Sequence, residues 1–315
     1  MIPIGLVAGF LGSGKTTLLS HWAERHRGRK LVYLVNDLGT VNVDTAWLER
    51  QHERVVSIPG GSIFCRCLVT EFVARLREVI ERHHTLESPV EGVVIEASGM
   101  ADPLAMADLL RETRLDAIYR LARVICVAEP RSVVRLVETL PAVASQIRAA
   151  DLVLLNKVDL FNEAALVAAE AAIRSVRPDA PVVRCVRCET DVEPFGNVSA
   201  AVALHGDLAP CFDPHFVSAT VPVTVPLDPQ RLADALRAAE SSWFRVKGYV
   251  PVNGGMAHFD FSATGATWRE APATMPAALV LIARGGAGTE VRSLVERLRS
   301  GALGPAPTHG IPLGQ

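Results

Sequence analysis

Several features are scarce in this chain, and each scarcity removes a class of function. No apolar run reaches the roughly 18–20 residues that a membrane-spanning helix needs. Neither sign of charge dominates, since 32 Lys and Arg stand against 34 Asp and Glu for a formal net charge of −2. The chain therefore has no basic field to hold a nucleic acid or an anionic membrane surface, and neither is expected as a partner. Lysine is rare and occurs only at positions 15, 30, 157 and 247. The six cysteines are irregularly spaced, which argues against a disulfide framework and for a reducing, cytoplasmic setting. The opening Met1-Ile2-Pro3-Ile4-Gly5 has no basic stretch of a secretory leader. At 315 residues the chain is long enough for about two domains. An enzyme or a nucleotide switch is the class left standing.

What is present is alternation. Ile2–Gly9, Lys30–Asn36, Gly92–Glu96, Ala122–Ala128, Asp151–Asn156 and Ala180–Cys185 are short apolar runs that predict strands buried on both faces. Between them, Thr16–His26, Leu68–His83, Asp102–Arg114, Val133–Ala149 and Glu163–Arg177 carry apolar residues at helical spacing. This pattern predicts a doubly wound, mainly parallel α/β sheet over residues 1–190. Pro194, Gly196, Gly206, Pro210 and Pro214 mark residues 191–214 as a linker. A smaller α+β domain is expected over residues 215–300, from strand-like runs at Phe216–Val225, Trp243–Pro251, Gly255–Ser262 and Leu279–Ala283 and helices at Asp228–Ala239 and Thr289–Leu298. Residues 301–315 read as a loose tail.

Gly9-Phe10-Leu11-Gly12-Ser13-Gly14-Lys15-Thr16-Thr17 follows the first strand and opens the first helix, and it fits G-x-x-x-x-G-K-[ST]. Gly9, Gly12, Ser13 and Gly14 let backbone N–H groups converge on phosphate oxygens at a helix N-terminus. Lys15 is placed for the β- and γ-phosphates, and the Thr16 hydroxyl for Mg²⁺. Asn156-Lys157-Val158-Asp159 ends a later strand. There Asn156, Lys157 and Asp159 form a guanine reader: the Asp159 carboxylate accepts from the ring N1–H and the exocyclic amine, which adenine does not offer in that arrangement. Cys185, at the end of the next strand, is placed along the other edge of the base. Asn36-Asp37-Leu38-Gly39 and Asp44 occupy the place of a first switch. Glu96 at a strand end lies where a carboxylate approaches Mg²⁺ or its water shell, and Gly99 where a backbone N–H meets the γ-phosphate. Thr16, Asp37 and Glu96 are thus the magnesium candidates, with Glu96 or Asp37 orienting the hydrolytic water.

Taken together, Gly9–Thr17, Asn36–Gly39, Glu96-Ala97-Ser98-Gly99-Met100-Ala101-Asp102-Pro103, Gln146-Ile147, Asp151 and Asn156–Asp159 resemble the CobW-type GTPases. These are P-loop GTPases of the SIMIBI class, more distantly similar to the UreG and HypB nickel-insertion GTPases. In the second domain, Arg245-Val246-Lys247-Gly248-Tyr249 resembles the family's Arg-x-Lys-Gly-aromatic signature. The resemblance implies a GTP-hydrolysing metallochaperone that uses GTP/GDP and Mg²⁺ and loads Zn²⁺ or Co²⁺ into a client metalloenzyme. A homodimer is a further partner it suggests.

The sequence departs from the family at its cysteines. The family pattern is Cys-x-Cys-Cys, whereas this chain reads Gly60-Gly61-Ser62-Ile63-Phe64-Cys65-Arg66-Cys67. Cys65 and Cys67, two apart in extended chain, point the same way and can share one soft metal ion. Arg66 between them favours thiolate. Zn²⁺ still needs a further ligand from Asp37, a client, a second subunit or water. Two alternatives stay open: a metal-free, GTP-dependent activator of a metalloenzyme or corrinoid enzyme, and a P-loop kinase acting on a small molecule.

Overall fold

The computed structural model describes residues 1–37, 54–59, 61–66, 68–196, 204–209, 215–262 and 264–305, with Asp37 and Pro59 described by their backbone alone. The chain divides into two units, Met1–His215 and Phe216–Gln315.

The first unit is built on seven strands: β1 (Ile2–Ala8), β2 (Leu31–Asp37), β3 (Val55–Pro59), β4 (Gly92–Glu96), β5 (Tyr119–Ala128), β6 (Leu152–Leu155) and β7 (Val182–Arg184). They lie in the order β3-β2-β4-β1-β5-β6-β7, and all six pairings are parallel. The described helices are α1 (Lys15–Arg25), α2 (Val69–His83), α3 (Met106–Glu112), α4 (Pro130–Leu136), α5 (Pro141–Ala149) and α6 (Glu163–Val176). Along β2, Val32 and Leu34 pack in one cluster with Phe72 and Leu76 of α2 and Met106 and Leu109 of α3. Leu31, Tyr33 and Val35 pack in the opposite cluster with Leu18, Leu19 and Trp22 of α1. Helices on both faces are the reason the strand sequences are continuously apolar rather than alternating. Each fully buried Leu contributes about 2 kcal/mol of transfer free energy.

Three sequence expectations change here. The single helix expected over Val133–Ala149 is two, α4 and α5. Pro141 opens α5 at its first position, where its missing N–H leaves no bond unmade. Residues 191–196 and 204–209 are no free linker. The Trp22 indole donates to the Val192 carbonyl at 2.8 Å, the Phe195 ring fills the space beside Gly92, and Leu204 lies in the core with α2 and α3. Strand β3 adds an element that the apolar-run reading did not include.

The second unit holds β8 (Phe216–Pro222), α7 (Pro229–Arg237), β9 (Trp243–Val252), β10 (Gly255–Ser262), β11 (Gly265–Ala271), β12 (Ala278–Arg284) and α8 (Gly288–Arg299). The strands form an antiparallel sheet in the order β11-β10-β9-β12-β8. Leu232 and Leu236 of α7 and Leu294 and Leu298 of α8 pack with Val246, Phe259, Leu279 and Leu281. In the Arg-x-Lys-Gly-aromatic segment, Arg245 makes a two-pronged pair with Asp260 at 3.1 and 2.9 Å, and Lys247 is buried. The tail expected to be loose from residue 301 is still anchored at its start. Leu303 is fully buried, its carbonyl accepts from Asp228 N at 2.8 Å, and Arg231 donates to Gly304 O at 2.7 Å. Residues 306–315 lie outside the described residues. No described helix is long and apolar enough to cross a membrane.

Candidate nucleotide and metal site

The loop from Gly9 to Gly14 joins β1 to α1. Gly9, Gly12 and Gly14 take φ of 138°, 75° and 116°, a region open at little strain to glycine alone. Room is short as well. A Cβ on Gly9 would run into the Val127 carbonyl, and one on Gly14 into the Asn156 side chain and, at 2.9 Å, Cys188 Sγ. No side chain caps α1, so the N–H groups of its first turn are left to an anion. Ser13 Oγ is buried with no hydrogen-bond partner among the described residues. Uncapped helix start, glycine cradle and orphaned hydroxyl together fit a chain of phosphates. Lys15 is buried and its Nζ donates to the Phe10 carbonyl at 3.3 Å. Thr17 is exposed.

Thr16 Oγ1 donates to Glu96 Oε1 at 3.0 Å, joining the start of α1 to the end of β4 across 80 residues of sequence. A hydroxyl and a carboxylate so placed are hard oxygen ligands of the type a magnesium ion takes. Beyond Glu96 the chain turns through Ser98 and Gly99. Gln146 of α5 holds that turn, donating from Nε2 to the carbonyls of Gly99 at 3.1 Å and Ala101 at 3.0 Å.

Asn36, the penultimate residue of β2, joins three segments at once. Its Nδ2 donates to Ile58 O at 3.0 Å and Gly61 O at 2.7 Å. Its Oδ1 accepts from Ile63 N at 3.0 Å and Ser98 N at 3.2 Å. The side chain is 4% exposed, so these four bonds are made away from water, where an unmade one costs about 1–3 kcal/mol. The backbone of Asp37 follows, paired with Pro59. The Asp37 side chain, residues 38–53 with Asp44, and Cys67 lie outside the described residues.

At the other end of the nucleotide loops, Asn156 donates from Nδ2 to Ser13 O at 2.8 Å and accepts at Oδ1 from Cys188 N at 2.8 Å. It clamps the phosphate loop to the loop after β7. Four non-glycine residues among those described have positive φ, and three lie here: Lys157 at 63°, Arg187 at 50° and Cys188 at 57°. Such conformations cost about 1–2 kcal/mol apiece and persist only where the surroundings hold them; the Asn156 bond to Cys188 is part of that hold. Asp159 stands exposed in the single turn Val158–Leu160. Cys185 is buried behind it, its carbonyl accepting from Val158 N at 3.4 Å. A hydrogen bond from Cys188 lowers the Cys185 thiol below the usual cysteine value. The same contact, with burial, pushes Cys188 well above it. Cys126 is pushed up to about 12 by burial, against the pull of Lys15.

Cys65 is buried and forms a parallel bridge with Ala209: Ala209 N donates to Phe64 O at 2.9 Å and Arg66 N to Ala209 O at 3.0 Å. Cys65 is disulfide-bonded, while Cys126, Cys185 and Cys188 are free. Among the described residues no group of three or more His, Cys, Asp or Glu is gathered to hold a metal.

The sequence reading placed Lys15, Thr16, Glu96, Gly99, Asn156 and Asp159 at this end of the sheet, and the structure brings them there. It did not single out Asn36 or Gln146 as braces. The available signal was a neutral amide directly after, or beside, an apolar run, a position where both a donor and an acceptor can serve loop backbone.

A family model described as CobW/HypB/UreG, nucleotide-binding domain, matches residues 3–184. A second, the cobalamin synthesis protein cobW C-terminal domain, matches residues 216–299. The zinc chaperone CobW of Pseudomonas aeruginosa is 29% identical over 246 residues, covering 68% of this chain and 64% of that protein. The zinc chaperone CobW of a Sinorhizobium species is 26% identical over 318 residues, 84% of this chain and 86% of that one. The zinc chaperone YjiA of Escherichia coli is 29% identical over 164 residues, 52% of this chain and 51% of that protein. Several of these matches thus span only about half to two thirds of the relative's length. The solved structure of Zn(II)-bound YjiA GTPase covers 95% of this chain and 99% of its own at 20% identity, with a TM-score of 0.43. With its nucleotide-binding model matched over more than half its length, the chain belongs to the CobW/HypB/UreG family, in the form that carries a cobW C-terminal domain.

Proposed function

We propose that the chain is a GTP-hydrolysing metallochaperone that couples its nucleotide state to delivery of a transition metal, zinc or cobalt, to a client metal-requiring protein. The observation that carries the coupling is Asn36. One amide oxygen holds both Ser98, in the turn after Glu96, and Ile63, two residues before Cys65. A γ-phosphate met by the Gly99 N–H would fix that turn. Its loss would free Ser98, and Asn36 would pass the change to the Gly61–Ile63 backbone it also holds. The relatives' name, zinc chaperone, supports zinc as the cargo.

In this reading Lys15 and the first turn of α1 hold the β- and γ-phosphates, and Asp159 reads guanine. Magnesium, held by Thr16 and Glu96, would neutralise phosphate charge. Glu96 or Asp37 orients the water. Cys65 and Cys67, as thiolates, hold the metal, with Asp37, water, the client or a second protomer completing the set. The disulfide at Cys65 and the missing third cysteine favour one other reading, a GTP-dependent activator that carries no ion.

GTP hydrolysis by the reduced, metal-stripped chain, with and without one equivalent of Zn²⁺ or Co²⁺, separates the two. Metal delivery expects a rate that changes with metal and a Cys65→Ser/Cys67→Ser variant that no longer responds. Hydrolysis indifferent to metal in both proteins sinks metal delivery and leaves the metal-free activator.

A further inference from the structure

Two buried thiols, Cys185 and Cys188, sit where the phosphate loop meets the base-reading loops. Consecutive left-handed residues at Arg187 and Cys188 fold the chain back, and the Asn156 Oδ1 that Cys185 Sγ faces also accepts from Cys188 N at 2.8 Å. Each also touches the nucleotide loops. Cys188 Sγ donates to Gly14 O at 3.3 Å, and Cys185 Sγ lies 3.6 Å from Asn156 Oδ1. Gly14 begins α1 and is already packed on Cys188 Sγ and the Asn156 amide. Any movement of the Cys188 sulfur is therefore felt at the helix N-terminus that faces the phosphates.

We propose that Cys185 and Cys188 form a redox-sensitive latch on the nucleotide site: as thiols they lock the phosphate loop to the loop after β7, and as a disulfide they release it. The oxidant class is a low-molecular-weight disulfide. Cys185, which keeps a small exposed area while Cys188 has none, attacks one sulfur of that disulfide as thiolate. The first small thiol leaves, and a mixed disulfide remains on Cys185. Cys188 then gives its proton to the second departing sulfur and bonds to Cys185. Net, two protein thiols and one small disulfide give one protein disulfide and two small thiols. The lowered Cys185 thiol supports its role as the attacking sulfur. In the product neither sulfur carries a hydrogen, so Gly14 O and Asn156 Oδ1 each lose a donor. Cys188 Sγ must also come to bonding distance of Cys185, and its contact with Gly14 changes with it.

The test is the affinity of the full chain for a fluorescent GDP analogue, measured reduced and then equilibrated with oxidised glutathione, with peptide mass spectrometry locating the disulfides. The latch expects a Cys185–Cys188 disulfide, an affinity about tenfold weaker and full recovery with reductant, the size expected for losing backbone hydrogen bonds at the site. Cys188→Ser keeps a hydroxyl that can donate to Gly14 O, so its affinity should be insensitive to the oxidant. Cys185→Ser should be equally insensitive and guards against a misfolded first variant. A Cys185–Cys188 disulfide with unchanged affinity overturns the latch, as does failure of that disulfide to form while Cys65 oxidises. The inference rests on the nucleotide-site assignment, which the reduced-state titration checks separately: a reduced chain without nucleotide affinity overturns both.

Discussion

Asn36 and Asn156 stand at similar places, one next to last in β2 and the other just after β6, and both are buried. Both use an amide's two ends, one donating to backbone carbonyls and the other accepting from backbone N–H groups. Their reach differs. Asn156 joins Ser13 of the phosphate loop to Cys188 of the base-side loop, two segments of one nucleotide site. Asn36 joins Ser98 of the turn after Glu96 to Gly61 and Ile63, a segment that leads on to Cys65. The same residue, at the same kind of strand end, ties two nucleotide-side loops in one place and, in the proposed function, would serve as a transmission link in the other. What it connects decides its role.

That contrast can be broken by truncation. The largest effect is expected from Asn156→Ala, which strips partners from the buried Ser13 carbonyl and Cys188 N–H. Nucleotide affinity by calorimetry should fall about 100-fold, the equivalent of two unmade buried hydrogen bonds. A loss under about threefold would mean that the clamp is incidental.

Asn36→Ala should lower unfolding free energy by about 4 kcal/mol or more, for four unmade buried bonds, while changing GTP affinity by less than about threefold. Its distinguishing readout is hydrolysis with and without added Zn²⁺, where the metal response should vanish. Asn36→Asp keeps the acceptor for Ile63 and Ser98 but loses the donor to Ile58 and Gly61, and should retain part of that response. If both variants respond to metal like the parent, Asn36 is only a structural brace.

The smallest effect sharpens the other half. Ser13→Ala removes a buried hydroxyl with no partner among the described residues. Thermal stability of the nucleotide-free chain should hold or rise by up to about 1 kcal/mol, while nucleotide affinity drops about threefold. A variant that loses stability without losing affinity would assign that hydroxyl to the fold and not to phosphate.

The fold was readable wherever the physics is local. Val32 through Val35 are apolar because both faces of β2 are covered, and that leaves a run visible to the eye. Gly9, Gly12 and Gly14 are legible because their φ values exclude other residues. Periodicity fails at Pro141, since a proline at the first position of α5 leaves the apolar spacing of α4 and α5 looking continuous. It fails again at Phe195 and Leu204. Phe195 stands alone between Pro194 and Gly196, and Leu204 ends a short run of small apolar residues; neither shows a period, yet both are buried. Strand β11, Gly-Ala-Thr-Trp-Arg-Glu-Ala, is an edge strand with little apolar content and so gave no run to find.

By itself, the sequence determined the phosphate loop, the Asn-Lys-x-Asp tetrapeptide, the parallel sheet that carries them and the shortfall of cysteines against the family pattern. Each of these is written in neighbouring residues. Tertiary structure alone decided which loops are wired together. Asn36 reaches partners 22, 25, 27 and 62 residues away, and Cys188 reaches Gly14 across 174. Such bonds have no local signature, because they exist only once parallel strands have brought their C-terminal loops to one end of the sheet.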